Sequence, residues 1–291
     1  MELARSLMFV PGHRQRMVDK ALGLAALDVA LLDIEDGVPP TEKDVARTLL
    51  AGILGQSGAM RPRRFVRVNA ITGERFEADI SAVVRPGLEG LLVPKVESAE
   101  EVRRVAARVG ERERQTGLAE GGVSFIVAIE SAVGLLRAFD IASASPRVIG
   151  LIFGGEDYAN DLGLPTDRQG EARELAYART AMVVAAAAAH VQSFDGVWPE
   201  IGDAAGLRRD SLQARRLGFT GKSLIHPGQI EVINEVFTPS EGDVDYARRV
   251  VAAFEAAELR GDGAIAFGGQ LIDRPIVERA RRVIALHEAT G

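Results

Sequence analysis

The sequence predicts a (β/α)8 TIM barrel, because eight short apolar runs alternate with segments of helical periodicity through residues 1–236. A length of 291 residues suits one such barrel followed by a C-terminal extension. The composition, 47% hydrophobic but only 5% aromatic, is typical of an α/β enzyme with an aliphatic core. Because successive βα units are right-handed and usually neighbours, a closed barrel is favoured, and an open doubly wound sheet is the alternative.

The predicted strands are apolar runs bounded by polar turns. They are Leu7–Val10, Val29–Ile34, Phe65–Asn69, Gly90–Val93, Phe125–Ile129, Val148–Phe153, Phe194–Trp198 and Gly221–Ile225. The segments between them carry apolar residues at helical spacing. The clearest predicted helices are Arg14–Leu24, Glu42–Leu54, Ala99–Arg114, Glu171–Val191 and Leu207–Leu217.

The pattern changes after the eighth strand, and residues 237–291 are predicted to form a helical extension. An amphipathic segment, Asp245–Leu259, is followed by a glycine-containing stretch and a last helix around Val277–His287. Because roughly 50 residues rarely build a robust core alone, we expect the extension to pack on the barrel or on a neighbouring subunit. The stretch Gly261–Ala266 nominally fits a dinucleotide fingerprint, but it opens no βαβ unit, which argues against nucleotide binding.

Charge and composition exclude several classes of protein. A formal charge of −6 provides no general attraction for nucleic acid or an anionic membrane. The absence of cysteine excludes disulfides, thiolate nucleophiles and cysteine-ligated zinc. The longest apolar stretch, Ala181–Val191, is about half the length of a membrane-spanning helix, and the N-terminus lacks the basic-then-apolar pattern of an export signal. We therefore expect a soluble, cytoplasmic protein without nucleic-acid or membrane partners.

Polar side chains collect where the predicted strands end. They are His13, Arg14, Asp33, Glu35, Asp36, Arg67, Asn69, Lys95, Glu130, Asp157 and His226. In a (β/α)8 barrel the active site lies at the rim formed by the loops that follow the strands. A purely structural distribution would scatter these residues, so the sequence predicts a functional site at this rim.

Two carboxylates at this rim predict a metal site. Glu130 closes the strand Phe125–Ile129, and Asp157 follows the strand Val148–Phe153. Neighbouring parallel strands lie about 5 Å apart, so the two acids would emerge together and repel unless a cation lies between them. Mg²⁺ commonly takes one or two carboxylates and leaves its other positions to water or substrate. Glu156 competes with Asp157 as the second ligand, and helix capping or a salt bridge is the alternative role for either acid alone.

Arg67 is the candidate for stabilising charge on oxygen. An arginine in a position that lines the barrel is costly unless it is paired, and one aimed at the rim can stabilise an enolate or carbonyl oxygen. The alternative is an internal salt bridge to Glu35 or Asp36. The four histidines lack zinc-site spacing, and the sequence contains neither a Gly-x-Ser-x-Gly elbow nor a Walker loop. His226 is expected to have a structural role in a turn with Pro227.

Seven motifs, each weak alone, form a specific pattern together. They are Arg5–Gly12 with Arg14 and Lys20–Ala21, Leu32–Val38 with Lys43 and Ala46–Arg47, Arg67–Asn69, Pro94–Glu97, Ile129–Ser131, Phe153–Asp157 and Lys222–Gln229. In these motifs the chain resembles the citrate lyase beta subunit family. The resemblance extends to the stand-alone malyl-CoA, methylmalyl-CoA and citramalyl-CoA lyases of the aldolase/citrate lyase superfamily, and it runs nearly from end to end.

The resemblance implies a (β/α)8 barrel assembled as a homotrimer or homohexamer, with Glu130 and Asp157 as Mg²⁺ ligands and Arg67 in contact with the substrate oxygen. The residues that match the segment receiving the coenzyme A moiety are Phe9, Arg14 and Lys20. Through Arg14 and Lys20, this segment would supply the local positive charge that the acidic chain as a whole lacks.

The C-terminal tail, Gly268–Pro275, resembles the family segment whose aspartate acts as acid and base at the thioester α-carbon, often from a neighbouring subunit. This makes Asp273 a catalytic candidate. Its alternative role is to cap the helix that opens at Pro275.

The implied reaction is Mg²⁺-dependent cleavage of a β-hydroxy acyl-CoA thioester, L-malyl-CoA or citramalyl-CoA, to acetyl-CoA and a 2-oxo acid, or the reverse Claisen condensation. A citrate lyase beta subunit proper would act on a citryl group carried by an acyl-carrier protein, and a malyl-CoA thioesterase would release free malate. A CoA-independent aldolase fits less well, because its usual base is a histidine. A non-catalytic metabolite-binding barrel is the alternative from another class, and the intact set of candidate residues argues against it.

Overall fold

Eight parallel strands close into a barrel in sequence order. The computed structural model describes residues 3–55, 62–165 and 173–290. The strands are β1 (Ser6–Pro11), β2 (Val29–Asp33), β3 (Arg63–Arg67), β4 (Gly90–Val93), β5 (Ser124–Ile129), β6 (Val148–Phe153), β7 (Gln192–Asp195) and β8 (Gly221–Leu224). Because β1 pairs with both β2 and β8, the sheet has no free edge. The closed barrel is confirmed, and the doubly wound sheet is excluded.

Helices follow the strands and surround the barrel. They are α1 (Gln15–Leu22), α2 (Lys43–Leu54), α3 (Phe76–Val83), α4 (Ala99–Thr116), α5 (Ala132–Leu136), α6 (Ala138–Ala142), α7 (Gly155–Asp161), α8 (Ala176–Ala188), α9 (Ala204–Leu217) and α10 (Ile230–Phe237). Local signals explain their ends: α4 begins with a capping box formed by Ser98 and Glu101 and stops at Gly117, whose backbone is left-handed. Within the described ranges, no helix is both long and apolar enough to cross a bilayer.

The barrel lumen is filled by one apolar cluster. Its members include Leu7, Val29, Leu31, Phe65, Leu92, Ile126, Ala128, Ile152 and Phe194. Side chains alternate between the two faces of a strand, so the position two residues beyond a lumen residue also faces the lumen. Two steps beyond Leu31, Phe65 and Ala128 stand Asp33, Arg67 and Glu130. A polar layer therefore lies above the apolar one at the carboxyl end of the barrel.

The seventh strand begins two residues earlier than predicted and ends at Asp195 instead of Trp198. Gln192 and Ser193 are buried although they are polar. The Gln192 side chain accepts a hydrogen bond from the backbone N–H of Ala4, at 3.0 Å, across the barrel. A search for apolar runs misses such residues because their burial depends on partners far away in sequence.

The chain divides into two compact units, Ala4–Ile233 and a second that begins at Asn234. The second unit contains α11 (Glu241–Glu258), the strands β9 (Ala264–Phe267) and β10 (Gln270–Asp273), and α12 (Arg274–Thr290). It has an apolar cluster of its own, which includes Val250, Phe254, Ile272 and Val277. The helices of the extension were predicted, but its small core was not.

The antiparallel hairpin of β9 and β10 was also missed. Gly268 and Gly269 form its turn, with φ angles of 57° and 79° that side-chain-bearing residues rarely adopt. Two strands of only four residues each are a weak apolar signal, whereas the two glycines between them are the turn signature that would have revealed the hairpin. The segment Gly261–Ala266 leads from α11 into this hairpin. It therefore opens no βαβ unit, in agreement with the argument against a dinucleotide fingerprint.

Gly90 tests the packing of the lumen. A Cβ atom at this position would lie 2.1 Å from the Phe65 ring, so we expect Gly90→Ala to lower the free energy of unfolding by about 1–3 kcal/mol through overpacking. Gly52, in α2, has open space around the same position, and Gly52→Ala should raise stability by about 0.5–1 kcal/mol. Urea unfolding followed by circular dichroism measures both changes, and equal effects of the two variants would contradict this packing.

Candidate active site

A cavity of about 400 Å³ lies at the carboxyl ends of the barrel strands. Its lining includes Asp33, Arg67, Glu130 and Asp157, four of the polar residues that the sequence placed at this rim. Apolar side chains such as Phe153 form much of the remaining wall. The arrangement is that of a small-molecule site, with a few convergent polar groups in an apolar pocket.

Arg67 is held by two acids of the β2 strand and its following turn. Its Nε and Nη2 atoms donate to the two carboxylate oxygens of Asp33 at 2.8 and 2.7 Å, and Nη1 lies 3.1 Å from Glu35 Oε2. The salt bridge to Glu35 or Asp36 that was the alternative role for Arg67 is present, with Glu35 as the partner. Asp33, which was not expected, is the main partner. Burial alone would lower the pKa of Arg67, but the hydrogen bonds and charges of Asp33 and Glu35 outweigh it and raise the pKa.

Phe9 completes the environment of this arginine. The Arg67 guanidinium carbon lies 4.8 Å from the centre of the Phe9 ring, which is within the range of a cation–π contact. Phe9 also lines the cavity. Carboxylates hold the guanidinium on one side and an aromatic ring holds it on another. Its positive charge therefore has a fixed position in the cavity wall.

The turn after β2 is itself anchored from beneath. Asp33 accepts the backbone N–H groups of Glu35 and Gly37, at 2.7 and 2.8 Å. The buried Lys43 ammonium donates to the carbonyl oxygens of Ile34 and Glu35, both at 2.6 Å. Burial lowers the pKa of Lys43, although the charges of Asp33 and Glu35 oppose this effect. The acids that hold Arg67 thus have little freedom to move.

Glu130 and Asp157 face the same cavity. Burial raises the pKa of Glu130 to about 7; the Lys95 backbone N–H opposes this effect, and the negative charges of Asp157 and Glu35 add to it. Within the described ranges, neither Glu130 nor Asp157 forms an ion pair shorter than 4 Å. Two mutually repelling carboxylates at a cavity wall are the chemistry that a bound cation would satisfy, so these residues fit a divalent metal ion.

Asp157 stays our candidate for the second acid. It lines the cavity together with Glu156, and its negative charge adds to the raised pKa of Glu130. Gly154 makes room for this pair, because a Cβ atom there would lie 2.2 Å from Glu130 Cγ. Among the described residues, no cluster of three or more histidine, cysteine, aspartate or glutamate side chains could hold a metal. A metal at Glu130 and Asp157 would therefore take its other ligands from water or substrate.

The three candidates for coenzyme A contact lie in two environments. Phe9 is in the cavity wall, whereas Arg14 and Lys20 are exposed residues at the start of α1 and within its last turn. Met17, on the same helix, lines the cavity while its side chain is 51% exposed. The sequence did not single out Met17, because one apolar residue on an amphipathic helix resembles any other.

Asp273 lies at the end of β10 in the C-terminal unit. Its Oδ1 atom is 3.4 Å from the backbone N–H of Ile276, in the first turn of α12. The capping contact that was the alternative for this residue is therefore present, and its catalytic role stays a prediction. His226 also has its expected turn role, since its Nδ1 accepts the N–H of Gly228.

A second charged cluster was not predicted from the sequence. It consists of Arg179, Asp195, Asp210 and Lys222, all buried and all in the cavity lining. Lys222 Nζ lies 2.5 Å from oxygens of both aspartates, and Arg179 contacts the same two acids at 2.8 and 3.0 Å. Burial would raise the pKa of Asp195, but the charges of Lys222 and Arg179 hold it below its ordinary value. The only sequence signal for this cluster was a lysine inside the eighth barrel strand. Its partners could not be predicted, because they lie on elements that come together only in the folded chain.

Comparison with known proteins identifies the family of this chain. The HpcH/HpaI aldolase/citrate lyase family matches residues 5–227. The chain belongs to this family. Citrate lyase subunit beta of Leuconostoc mesenteroides subsp. cremoris is 39% identical over 287 residues, which are 99% of this chain and 94% of that protein. The (3S)-malyl-CoA thioesterase of Cereibacter sphaeroides strain KD131 is 36% identical over 286 residues, 98% of this chain and 95% of that protein.

Solved structures agree with the fold of the family. Protein CitE of Mycobacterium tuberculosis, in complex with magnesium, acetoacetate and coenzyme A, has a TM-score of 0.80 at 30% identity and covers 98% of each chain. A citrate lyase of Burkholderia xenovorans LB400 has a TM-score of 0.87 at 23% identity, covering 100% of this chain and 93% of that one, and shows the fold alone. The resemblance read from the sequence is confirmed, and at the level of the family the protein is a lyase enzyme.

The buried cluster around Lys222 should behave as a network in which the effects of removing one cation and one acid are coupled. Lys222→Met leaves Asp195 and Asp210 with one cation between them, so we expect a loss of about 3–5 kcal/mol in the free energy of unfolding. The double variant Lys222→Met/Asp210→Leu restores a one-to-one pair and should recover at least about half of that loss. Urea unfolding gives both values. An exposed pair is the control, since Arg103→Met should have little effect, and a double variant as unstable as Lys222→Met would contradict the network.

Proposed function

We propose that this protein is a Mg²⁺-dependent carbon–carbon lyase that cleaves a β-hydroxy acyl-CoA, L-malyl-CoA or citramalyl-CoA, to acetyl-CoA and a 2-oxo acid, or catalyses the reverse condensation. The observation that carries this proposal is the pair of repelling carboxylates, Glu130 and Asp157, in the same cavity as the firmly held Arg67. The relative from Mycobacterium tuberculosis supports it, because that protein is described in complex with magnesium and coenzyme A.

The reaction makes three demands on the site. Breaking the bond between the α and β carbons requires loss of the hydroxyl proton, stabilisation of the negative charge left on the thioester enolate, and a proton for its carbon. Glu130 and Asp157 would hold Mg²⁺, which would supply a Lewis acid for the hydroxyl and carboxylate oxygens of the substrate, and the hydroxyl proton would leave to solvent water. The remaining demands fall on side chains of this chain.

Arg67 meets the demand for charge stabilisation. Because Asp33 and Glu35 fix its guanidinium, the positive charge need not reorganise when the enolate oxygen forms, which is the condition under which electrostatic stabilisation is most effective. The two acids also pair the buried charge of Arg67, which would be costly if it were left unpaired. The arginine thus provides hydrogen-bond donors at the cavity wall at little cost in stability.

Asp273 is proposed as the acid and base at the thioester α-carbon, on the strength of the family resemblance. Asp273 caps α12 through one carboxylate oxygen, Oδ1, and an aspartate has a second oxygen that can exchange a proton. The two roles are compatible in the same side chain.

Coenzyme A is proposed to enter along α1. Phe9 would contact the acyl end in the cavity, and the exposed cations Arg14 and Lys20 would meet phosphate groups, which are the part of the coenzyme that an acidic chain otherwise repels. The remaining parts of the proposal are a homotrimer or homohexamer, a cytoplasmic location, and an acyl-carrier protein as partner only if the physiological substrate is a citryl thioester.

Two other activities are favoured by specific relatives. The citrate lyase subunits at 38–39% identity favour action on a citryl thioester carried by an acyl-carrier protein, and the thioesterase at 36% identity favours hydrolysis of malyl-CoA to free malate. All three activities use a β-hydroxy acyl thioester. They differ in the acyl group, its carrier and the fate of the thioester.

One experiment separates them. The isolated protein is incubated with Mg²⁺ and, in turn, malyl-CoA, citramalyl-CoA and citryl-acyl-carrier protein, and acetyl thioester, 2-oxo acid and free CoA are measured. Acetyl-CoA with glyoxylate or pyruvate supports the proposal; free CoA with malate supports the thioesterase; turnover confined to the carrier protein supports the citrate lyase subunit. No turnover of any substrate would overturn all three.

The metal site can be tested without any substrate. Glu130→Gln and Asp157→Asn keep the size of each side chain but remove its charge, so each should weaken Mg²⁺ binding by more than about 100-fold in calorimetric titration with MgCl₂ alone. Gly154→Ala should also weaken it, because the new Cβ displaces Glu130. The matched control is Glu156→Gln, which should stay within about twofold. If Glu156→Gln loses the metal and Asp157→Asn retains it, the ligand assignment is wrong.

Asparagine and alanine separate the two roles of Asp273. Asparagine caps helices about as well as aspartate, so Asp273→Asn should keep the stability of the unit while cleavage falls by about 100-fold or more. Asp273→Ala should lose about 1 kcal/mol of stability in addition. Steady-state cleavage of malyl-CoA and thermal unfolding measure the two effects, with the exposed Asp262→Asn as control. Near-normal turnover in Asp273→Asn would leave this residue with its capping role alone.

A further inference from the structure

Lys95 has an unusual backbone conformation. Its φ angle is 54°, in the left-handed region, and among the described residues only His190 shares this property without being glycine. Lysine gains nothing locally from this conformation, unlike asparagine or aspartate. Such a residue persists only where its surroundings hold it, and functional sites are where this is commonly seen. Lys95 stands two residues after the end of β4, at the rim that carries the cavity.

The backbone conformation directs the N–H of Lys95 at Glu130. This N–H donates to Glu130 Oε2 at 2.7 Å. One oxygen of the buried acid is thereby fixed by the end of the neighbouring strand, which limits the directions in which the other oxygen can point. A hydrogen bond from a backbone group constrains its partner more firmly than one from a long side chain, because the backbone close to the end of β4 has less freedom to move.

The side chain of Lys95 acts on the other half of the site. Its ammonium lies 2.7 Å from Glu35 Oε1 and 2.7 Å from Asp36 Oδ2. Glu35 in turn contacts Arg67 through its second oxygen, at 3.1 Å. The described residues that line the cavity include Glu130 and Arg67 but not Lys95. Lys95 therefore contacts Glu130 directly and Arg67 only through Glu35, and it is not part of the cavity lining.

We propose that Lys95 is a positioning residue that couples the two halves of the site: its left-handed backbone sets Glu130 for the metal, and its ammonium sets Glu35 against Arg67. The effect on turnover rests on the proposed lyase function, whereas the effect on metal binding rests on Glu130 alone. This residue belongs to the Pro94–Glu97 motif, for which the sequence offered no role.

A merely structural lysine would make different predictions. Its removal would lower thermal stability, but Mg²⁺ affinity and the ratio of kcat to KM would follow only the fraction of folded protein. A positioning residue changes metal affinity and kcat in protein that remains folded, since groups behind metal ligands typically affect affinity or activity by about 10–100-fold.

Two substitutions separate the backbone from the ammonium. Lys95→Gly removes the ammonium but adopts the left-handed conformation freely, so the N–H to Glu130 remains; Lys95→Val removes the ammonium and disfavours that conformation. We expect Lys95→Gly to keep Mg²⁺ affinity within about threefold while kcat for malyl-CoA falls by about tenfold at similar KM. Lys95→Val should in addition weaken Mg²⁺ binding by about tenfold.

The matched control is His190→Val. His190 has nearly the same φ angle, 57°, and lies before β7, at the opposite end of the strand from the cavity. This variant carries the same kind of backbone penalty and should leave Mg²⁺ affinity unchanged. Calorimetric titration with MgCl₂ alone, after circular dichroism has shown each variant to be folded, provides the metal readout. If Lys95→Val does not fold, Lys95→Ala replaces it, with the same direction of effect on metal affinity.

The outcomes are distinct. Equal Mg²⁺ affinity in the glycine variant and in the valine or alanine variant would overturn the backbone role, and a kcat in Lys95→Gly within about twofold of the wild type would overturn the ammonium role. If the wild type binds Mg²⁺ but cleaves none of the acyl thioesters, the proposed lyase function fails. In that case the difference in Mg²⁺ affinity between the variants still decides the backbone role of Lys95.

Discussion

The two-residue alternation of side chains in a closed barrel determines where this site lies. Eight strands meet around one lumen, and each strand that contributes an apolar residue to the lumen contributes its next inward residue one layer higher. At Asp33, Arg67 and Glu130 that next residue is charged. A charged layer over an apolar one is costly in a folded protein unless its charges are paired. Here the acids beside Arg67 are anchored by backbone N–H groups and by the buried Lys43 under the β2 turn.

The cavity contains two kinds of charge. Around Lys222 two cations face two acids at short distances, and this cluster is balanced by its own members. Glu130 and Asp157 differ, because their mutual repulsion helps to raise the pKa of Glu130 to about 7. A buried cluster whose charges balance needs no further ion, whereas two carboxylates that repel each other are a candidate site for a cation. Burial and charge alone therefore do not distinguish the two groups of residues. The difference is that the negative charges of Glu130 and Asp157 are not balanced within the pair.

Much of the fold and part of the site could be predicted from the sequence, for identifiable reasons. The eight strands were found because fully buried strands are short apolar runs, and Glu130 and Asp157 were found because a strand end is visible in sequence. The partner of Arg67 was expected to be Glu35 or Asp36, yet Asp33 is the main one. Its selection depends on the register that sets Asp33 beside Arg67 on adjacent strands. The cluster around Lys222 was missed for the same reason, since its members meet only when α8, α9, β7 and β8 pack together.

We expect the activities found in this family to differ for a reason other than the polar layer. Relatives named for citrate cleavage and for malyl-CoA hydrolysis match this chain at similar identity, and each activity must bind a β-hydroxy acyl thioester. The difference must lie in how the acyl substituent and water meet the thioester, and one methyl group in an apolar pocket is worth only about 1–3 kcal/mol. Met17 and Ile225 line the cavity, yet their side chains are 51% and 39% exposed. Residues that face both the cavity and the solvent are placed to admit or exclude water, so we expect selectivity in this chain to depend on the mouth of the cavity more than on the charged layer below it.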